Sequence, residues 1–393
     1  MSDATLTQRL RQRLEQQQVQ GRWRERTINT GQLLNFASND YLGLAQSPSL
    51  QAALQKASHL PVGSGAAHLI SGHYDSHHQL ENELAQWLGV DRCLLFANGY
   101  MANLAVLQTL VEKNDVVISD KRNHASLIDG VRLSSATSKR YPHNDIEALS
   151  RRLAQAHQQG QQALIVTDGV FSMDGDQAPL AEIRALQAHY QAWLFVDDAH
   201  GIGVLGPNGR GSLAQAGLCM DDNTLLMGTL GKALGTSGAF VAGSHTLIET
   251  LKQLARPYIY TTASAPILAE VTRQALAIVA NDSSRQAQLH TNIRTFRRLA
   301  QAAHLPLSES MTAIQPLLLG DNAKTMAVAQ SVYEAGFWVG AIRPPTVPEG
   351  QARLRITLSS AHTTEQINQL IRALCHALAH FEPLEPSHVA QYR

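Results

Sequence analysis

The sequence predicts an α/β fold, a mostly parallel sheet with helices on both faces, followed by a smaller α+β domain, and two observations predict it. Between about residues 46 and 285, six short apolar runs (RCLLFAN, DVVISD, ALIVTDG, WLFVDDAHG, TLLMGTLG and AFVAGS) are separated by stretches with apolar residues every three or four positions. Parallel neighbours need a crossover of about a dozen or more residues, usually a helix, so this alternation is the pattern of a parallel sheet. Beyond about residue 304 the strand-like runs become sparser (AIQPLLLG, WVGAIRPP, ARLRITLS) and only two helical stretches accompany them.

Three segments follow from this in chain order. Residues 1–45 read as a polar helix and an extended arm ending in NFASNDYLGL, too thinly apolar to fold alone. Residues 46–285 form the large domain. Residues 286–393 form the small one, entered through a long helical stretch near 264–304. In its last helix, Thr363 and Gln366 make a capping-box pattern, and Ile367, Leu370, Ile371, Leu374 and Leu378 line one face, a core stripe. No fixed-period repeat is present, and the Gln-rich stretches near 16–20 and 158–162 are short enough to be solvated helix ends or loops.

Composition narrows the function. Charged residues make up 16% of the 393, against about a quarter in ordinary soluble domains, which points to surface covered by a second subunit. Lys plus Arg equals Asp plus Glu at 32 each, so there is no overall basic field for nucleic acid or an anionic membrane, and small-molecule chemistry is the expectation. Cys93, Cys219 and Cys375 are far apart and each lies in an apolar stretch. They are expected to be buried and reduced, forming neither a disulfide framework nor a zinc site. No apolar run approaches the roughly 20 residues of a spanning helix, and a cytosolic protein is expected.

In an open α/β sheet, ligands collect at the carboxyl ends of the strands. After RCLLFA come Asn98, Gly99 and Tyr100, opening a helical pattern. A glycine there lets backbone N–H groups face a phosphate, although the same residues also suit an ordinary strand-to-helix turn. After ALIVTDG comes Ser172. After WLFV come Asp197, Asp198 and His200, where an Asp held against a cationic ring nitrogen competes with a metal-binding acid pair or a cap. After TLLM comes TLGKALGTSG, with Lys232 among small residues. A partly desolvated lysine forms Schiff bases, and glycines around it leave space for a bulky group.

Three other patterns carry less. Gly201, Gly203 and Gly206 spell GxGxxG after a strand, but Pro207-Asn208-Gly209 stands where the dinucleotide-binding helix should begin. His68, His73, His77 and His78 include an i,i+4 pair, yet no carboxylate or Cys ligand is suitably placed beside them, so no metal is expected. Ser172 and Ser237 lack the GxSxG elbow of a serine hydrolase.

Over nearly its whole length the chain resembles the α-oxoamine synthases, fold-type I pyridoxal-phosphate enzymes. TLGKALGTSG is similar to the cofactor-lysine motif, VDDAHGIG to the ring-nitrogen aspartate motif and SNDYLGL to the N-terminal motif. GVFSMDGD, AIQPLLLGDN and AIRPPTVPEGQARLRIT most resemble members that join L-alanine to a pimeloyl thioester of coenzyme A or an acyl-carrier protein. The resemblance implies a seven-stranded central sheet, pyridoxal 5'-phosphate as cofactor and a homodimer with shared active sites. It makes Lys232 the cofactor amine, Asp197 the partner of the pyridine nitrogen and His124 the residue stacked on the ring. Gly99, Tyr100 and Thr229 would hold the phosphate, Ser172 and His200 the ring-hydroxyl side, and Thr261 and Thr262 the phosphate of the partner subunit. Arg355 resembles the binder of the amino-acid carboxylate, Arg24 (with Arg22 and Arg26 as alternatives in the same RWRER stretch) and Thr346 look like acyl-chain contacts, and Asn39 in SNDYLGL joins His124 on the substrate side.

Overall fold

The computed structural model describes residues 5–381, which form two compact units. The larger comprises residues 39–291 with 359–361, and the smaller residues 5–38, 292–358 and 362–381.

Among the described residues, the larger unit holds a seven-stranded sheet: β1 (Arg92–Phe96), β2 (Val116–Asp120), β3 (Thr137–Tyr141), β4 (Ala163–Asp168), β5 (Trp193–Asp197), β6 (Thr224–Thr229) and β7 (Ala239–Gly243). Their spatial order is β1-β7-β6-β5-β4-β2-β3. Strands β6, β5, β4, β2 and β3 are mutually parallel, and β7 runs antiparallel to both β6 and β1. This is the mostly parallel sheet expected, with helices packed around it. β2, β4 and β7 are buried at every position. A strand covered on both faces reads as a near-continuous apolar run, and VVI, ALIV and AFVA are such runs. Leu94, Val106, Val117, Val166, Phe195 and Val241 belong to one buried cluster at the centre.

Two local expectations change. β3 is not among the six apolar runs; it is an edge strand, TSKRY, exposed at four of its five positions. An edge strand carrying charge resists pairing with another sheet, so polarity here is compatible with a strand. The helical stretch near 264–304 is two helices, Pro266–Asn281 and Ser284–Ala302. The chain leaves helical geometry at Asp282, whose carboxylate accepts the Ser284 N–H at 2.8 Å and starts the second helix.

In the smaller unit, β8 (Ile314–Gly320), β9 (Gly340–Ile342) and β10 (Ala352–Thr357) form an antiparallel sheet in the order β9-β10-β8. Leu34–Asn35 of the N-terminal arm pairs in parallel with Phe337–Trp338. The helix Thr364–Ala379 has the Thr363/Gln366 capping box, and Ile367, Leu370, Ile371, Leu374 and Leu378 are all buried. No helix among the described residues is long and apolar enough to cross a membrane. All three cysteines are free, but only Cys93 is fully buried; Cys219 is exposed, in the turn before β6.

Candidate active site

The register of the sheet places Asp168 at the end of β4 beside Asp197 at the end of β5, and Asp197 beside Met227 of β6. At this carboxyl edge lies a cavity of about 220 Å³. Lys232, Asp197, His124, His200, Gly99 and Thr229 line it, together with Tyr100 and Ser172, so eight of the sequence-derived residues converge. Gly99 opens the helix Gly99–Thr109, capped by Asn98 Oδ1 accepting the Met101 N–H at 3.0 Å. A Cβ at Gly99 would stand 3.0 Å from Thr229 Cγ2 and 3.3 Å from Met227 Cε, so the close approach of this helix start to β6 favours glycine. The helix N-terminus offers unpaired N–H groups and the positive end of its dipole to an anion.

Two hydrogen-bond chains meet in the cavity. In the first, Lys232 Nζ lies 2.9 Å from His200 Nε2, His200 Nδ1 lies 2.6 Å from the Tyr41 hydroxyl, and that hydroxyl lies 3.1 Å from Asn39 Oδ1. An amide oxygen only accepts, so one assignment satisfies all three contacts. Tyr41 donates to Asn39, His200 donates from Nδ1 to Tyr41, and His200 Nε2 accepts from the lysine. In the second, Asn103 Nδ2 donates to Asp197 Oδ2 at 2.7 Å and to Ser126 Oγ at 2.8 Å, and Ser126 Oγ lies 2.7 Å from His124 Nδ1. The Ser126 N–H also points at His124 Nδ1, at 3.3 Å. His124 Nδ1 is therefore the acceptor, and the ring proton sits on Nε2. Burial lowers the His124 pKa, with Lys232 adding to the effect and Asp197 opposing it, so the ring is neutral. Asp197 is buried and accepts a second bond, from the Ala199 N–H at 3.0 Å.

The adjacent acid has other surroundings. Asp198 is fully buried and takes both the backbone N–H (2.7 Å) and the hydroxyl (2.5 Å) of Ser212. Burial pushes its carboxyl up to about 7, against the pull of those two bonds. A Cβ at Gly201 would lie 2.1 Å from Asp198 Oδ1, and one at Gly211 2.0 Å from Asp198 Oδ2. The first glycine of the GxGxxG string thus makes room for Asp198, and the string belongs to a tight turn in which Gly203 N–H donates to Gly209 O at 2.7 Å.

Sequence reading passed over Asn103, Ser126, Asp168 and Tyr41. Asp168 ends an apolar run as Asp197 does and accepts the His124 N–H at 3.0 Å. Burial first, and then the charge of Asp197, pushes its carboxyl well above the usual range. Asn103 carried a signal too: it is an amide inside the apolar helical run MANLAVLQTL, four residues after Gly99, and is fully buried.

Thr261 and Thr262 do not line the cavity; Thr262 is exposed and its backbone pairs with Ala67. In the smaller unit, Arg24 Nη2 donates to Thr346 Oγ1 at 3.3 Å. Both line a cavity of about 690 Å³ with Arg22, Trp23 and Arg343. Arg22 is ion-paired with Glu349 at 3.1 Å. Arg355 is 7% exposed on β10, opposite Gly340 and Pro316.

The model of the aminotransferase class I and II family matches residues 31–374. The chain is 57% identical to the 8-amino-7-oxononanoate synthase of Hydrogenovibrio crunogenus over 350 residues, 89% of this chain and 88% of that one. It is 50% identical to the enzyme of that name from Thioalkalivibrio sulfidiphilus over 377 residues, covering 93% and 96%. Among solved structures, the 8-amino-7-oxononanoate synthase of Francisella tularensis superposes with a TM-score of 0.75 at 32% identity, over 89% of this chain and 99% of that one. The serine palmitoyltransferase of Sphingomonas wittichii superposes with a TM-score of 0.88 at 29% identity, over 96% and 99%.

Proposed function

Since this chain belongs to the class I and II aminotransferase family and to its 8-amino-7-oxononanoate synthases, we propose that it joins L-alanine to a pimeloyl thioester with loss of carbon dioxide. This is a step of biotin biosynthesis that depends on pyridoxal phosphate. The observation that carries the reading is the meeting of the two hydrogen-bond chains, one ending on Lys232 and the other on Asp197, in a single cavity.

The residues fit the cofactor. A primary amine suits its aldehyde, a buried acceptor carboxylate suits its pyridine nitrogen, and a helix N-terminus suits its phosphate. Pyridoxal phosphate, when bound, supplies an electron sink for the charge left on the amino-acid Cα. Lys232 Nζ would hold the cofactor aldehyde and, as the amine in the cavity, would move the proton at the substrate Cα. His200, fixed by Tyr41, orients that amine. Asp197, held by Asn103 and Ala199, keeps negative charge against the ring nitrogen. His124, positioned by Ser126, would pack on the ring, while Ser172 would meet the ring-hydroxyl side and Gly99, Tyr100 and Thr229 would hold the phosphate.

For the substrates, Arg355 is assigned the L-alanine carboxylate, because a guanidinium grips a carboxylate through two parallel bonds and so fixes which Cα bond is labilised. Arg24 and Thr346, already bonded to each other beside Arg343, are assigned the acyl chain, whose free end is itself a carboxylate. Asn39 acts behind Tyr41. The active unit is assigned as a homodimer in which Thr261 and the exposed Thr262 reach the phosphate in the second copy. Either coenzyme A or an acyl-carrier protein serves as the thioester carrier.

The test is thiol release by the purified protein supplied with pyridoxal phosphate. Release with L-alanine and pimeloyl-coenzyme A, absent in Lys232→Ala, is expected. Release only with glycine and acetyl-coenzyme A would overturn the substrate assignment while keeping Lys232.

A further inference from the structure

The four histidines dismissed from the sequence for want of a neighbouring carboxylate have one in the fold. Glu81 stands one turn after His78 on the helix Asp75–Leu88, and one donor atom each from His73, His78 and Glu81 lie within 4.8 Å of one another. His68, His73 and His77 meet the same spacing. His77, however, has both ring nitrogens committed: Nδ1 accepts the Tyr74 N–H at 3.0 Å, and Nε2 donates to Ser264 O at 2.9 Å. The other set has donors to spare. Glu81 uses Oε1 for the Leu95 N–H at 3.0 Å and keeps its second oxygen, and the His78 imidazole makes no hydrogen bond among the described residues, while its backbone N–H donates to Tyr74 O at 3.2 Å.

His73 is oriented from behind. Its Nδ1 lies 2.9 Å from His68 Nδ1, and the His68 ring is stacked on Tyr258 with centroids 5.3 Å apart and planes 6° from parallel. One nitrogen of that pair must donate. When it is His73 Nδ1–H, His73 Nε2 is left as a bare lone pair, the tautomer a metal ligand needs, fixed by an outer partner. His73, His78 and Glu81 line one cavity of about 320 Å³, which shares no lining residue with the Lys232 cavity.

We propose that His73, His78 and Glu81 bind a divalent transition-metal ion of zinc's class, with His68 as the outer partner of His73 and water in the fourth position. Two imidazoles and a carboxylate are a ligand set zinc accepts, whereas Mg²⁺ and Ca²⁺ take oxygen almost exclusively. Such an ion ties the helix Asp75–Leu88 to the loop before it. That loop pairs with the 262–263 segment through the Ala67–Thr262 bridge and the Ala263 N–H to Ala66 O bond of 3.0 Å. The ion therefore braces the loop and is not a reactant.

The experiment uses the pyridoxal-phosphate-loaded protein, stripped with a chelator and dialysed against buffered micromolar Zn²⁺, with bound metal and melting temperature as readouts. Wild type should take up stoichiometric zinc and melt higher, with no competition from Mg²⁺. His78→Ala and Glu81→Gln should each lower affinity by more than the ~10- to 100-fold that losing an outer partner costs, and His68→Phe by about that much. The His78 side chain is exposed and makes no hydrogen bond among the described residues, so His78→Ala should keep the cofactor absorbance and turnover, which separates metal loss from misfolding. No zinc uptake by wild type, or equal affinity in His78→Ala, would overturn the site.

Discussion

Asp197 and Asp198 are consecutive and both buried, yet their partners differ completely. Asp197 faces the cavity and is held by Asn103 and Ala199; Asp198 points into the glycine turn and is satisfied by Ser212. Their neutral variants should therefore fail in different ways. Asp197→Asn removes a charged acceptor from the cofactor side, and a hydrogen bond to a charged group contributes about 1.5–3 kcal/mol, so turnover per folded molecule should drop about 10- to 100-fold. Asp198→Asn places an amide against two donors and should lower stability by about 1–3 kcal/mol, with turnover per folded molecule close to wild type. Steady-state kinetics beside urea melts distinguish the two, and the reverse pattern would contradict the assignment. At this scale Lys232 and Asp197 were legible because both follow apolar strands. Asn103 and Ser126 were not singled out, because each lies on a helix and comes near Asp197 only through packing.

Between elements, His143 joins the end of β2 to the loop that carries Ser172. Its Nδ1 is 3.0 Å from Asp120 Oδ1 and its Nε2 is 2.6 Å from Asp176 Oδ2. Both nitrogens donate only in the imidazolium. Burial lowers the pKa, but the two carboxylates together outweigh it and push it from 6.5 up to about 9. A folded-state pKa raised in this way gives stability that is complete below about pH 6.5 and is lost as pH climbs through about 9. Urea unfolding at pH 6, 7.5 and 9 should show that decline, and His143→Asn should flatten it; an equal slope in the variant would remove His143 as its cause. Elements themselves were readable where burial left a continuous apolar run, as in β2 and β4. TSKRY was not, because an edge strand needs no apolar face, and neither was the helix break, because Asp282 acts as a cap only once both helices are placed.

For the whole molecule, the assignment that Thr261 and Thr262 serve the site of a second copy predicts complementation. Subunits carrying Lys232→Ala, mixed and refolded with subunits carrying Thr261→Val and Thr262→Val, should regain activity that neither parent has; strictly additive activity would place each site within one chain. The sequence by itself determined the parallel α/β class and the capped final helix, and it singled out Lys232 and the DD pair as candidates, because these depend on local periodicity and on residues next to strand ends. Only the tertiary structure decided which acid of the DD pair faces the cavity, that Gly201 makes room for a buried carboxylate, and that Arg24 meets Thr346 across 322 positions. Each of those depends on a distance between groups far apart in the chain or on a side-chain direction set by packing, and neither quantity is encoded in local spacing.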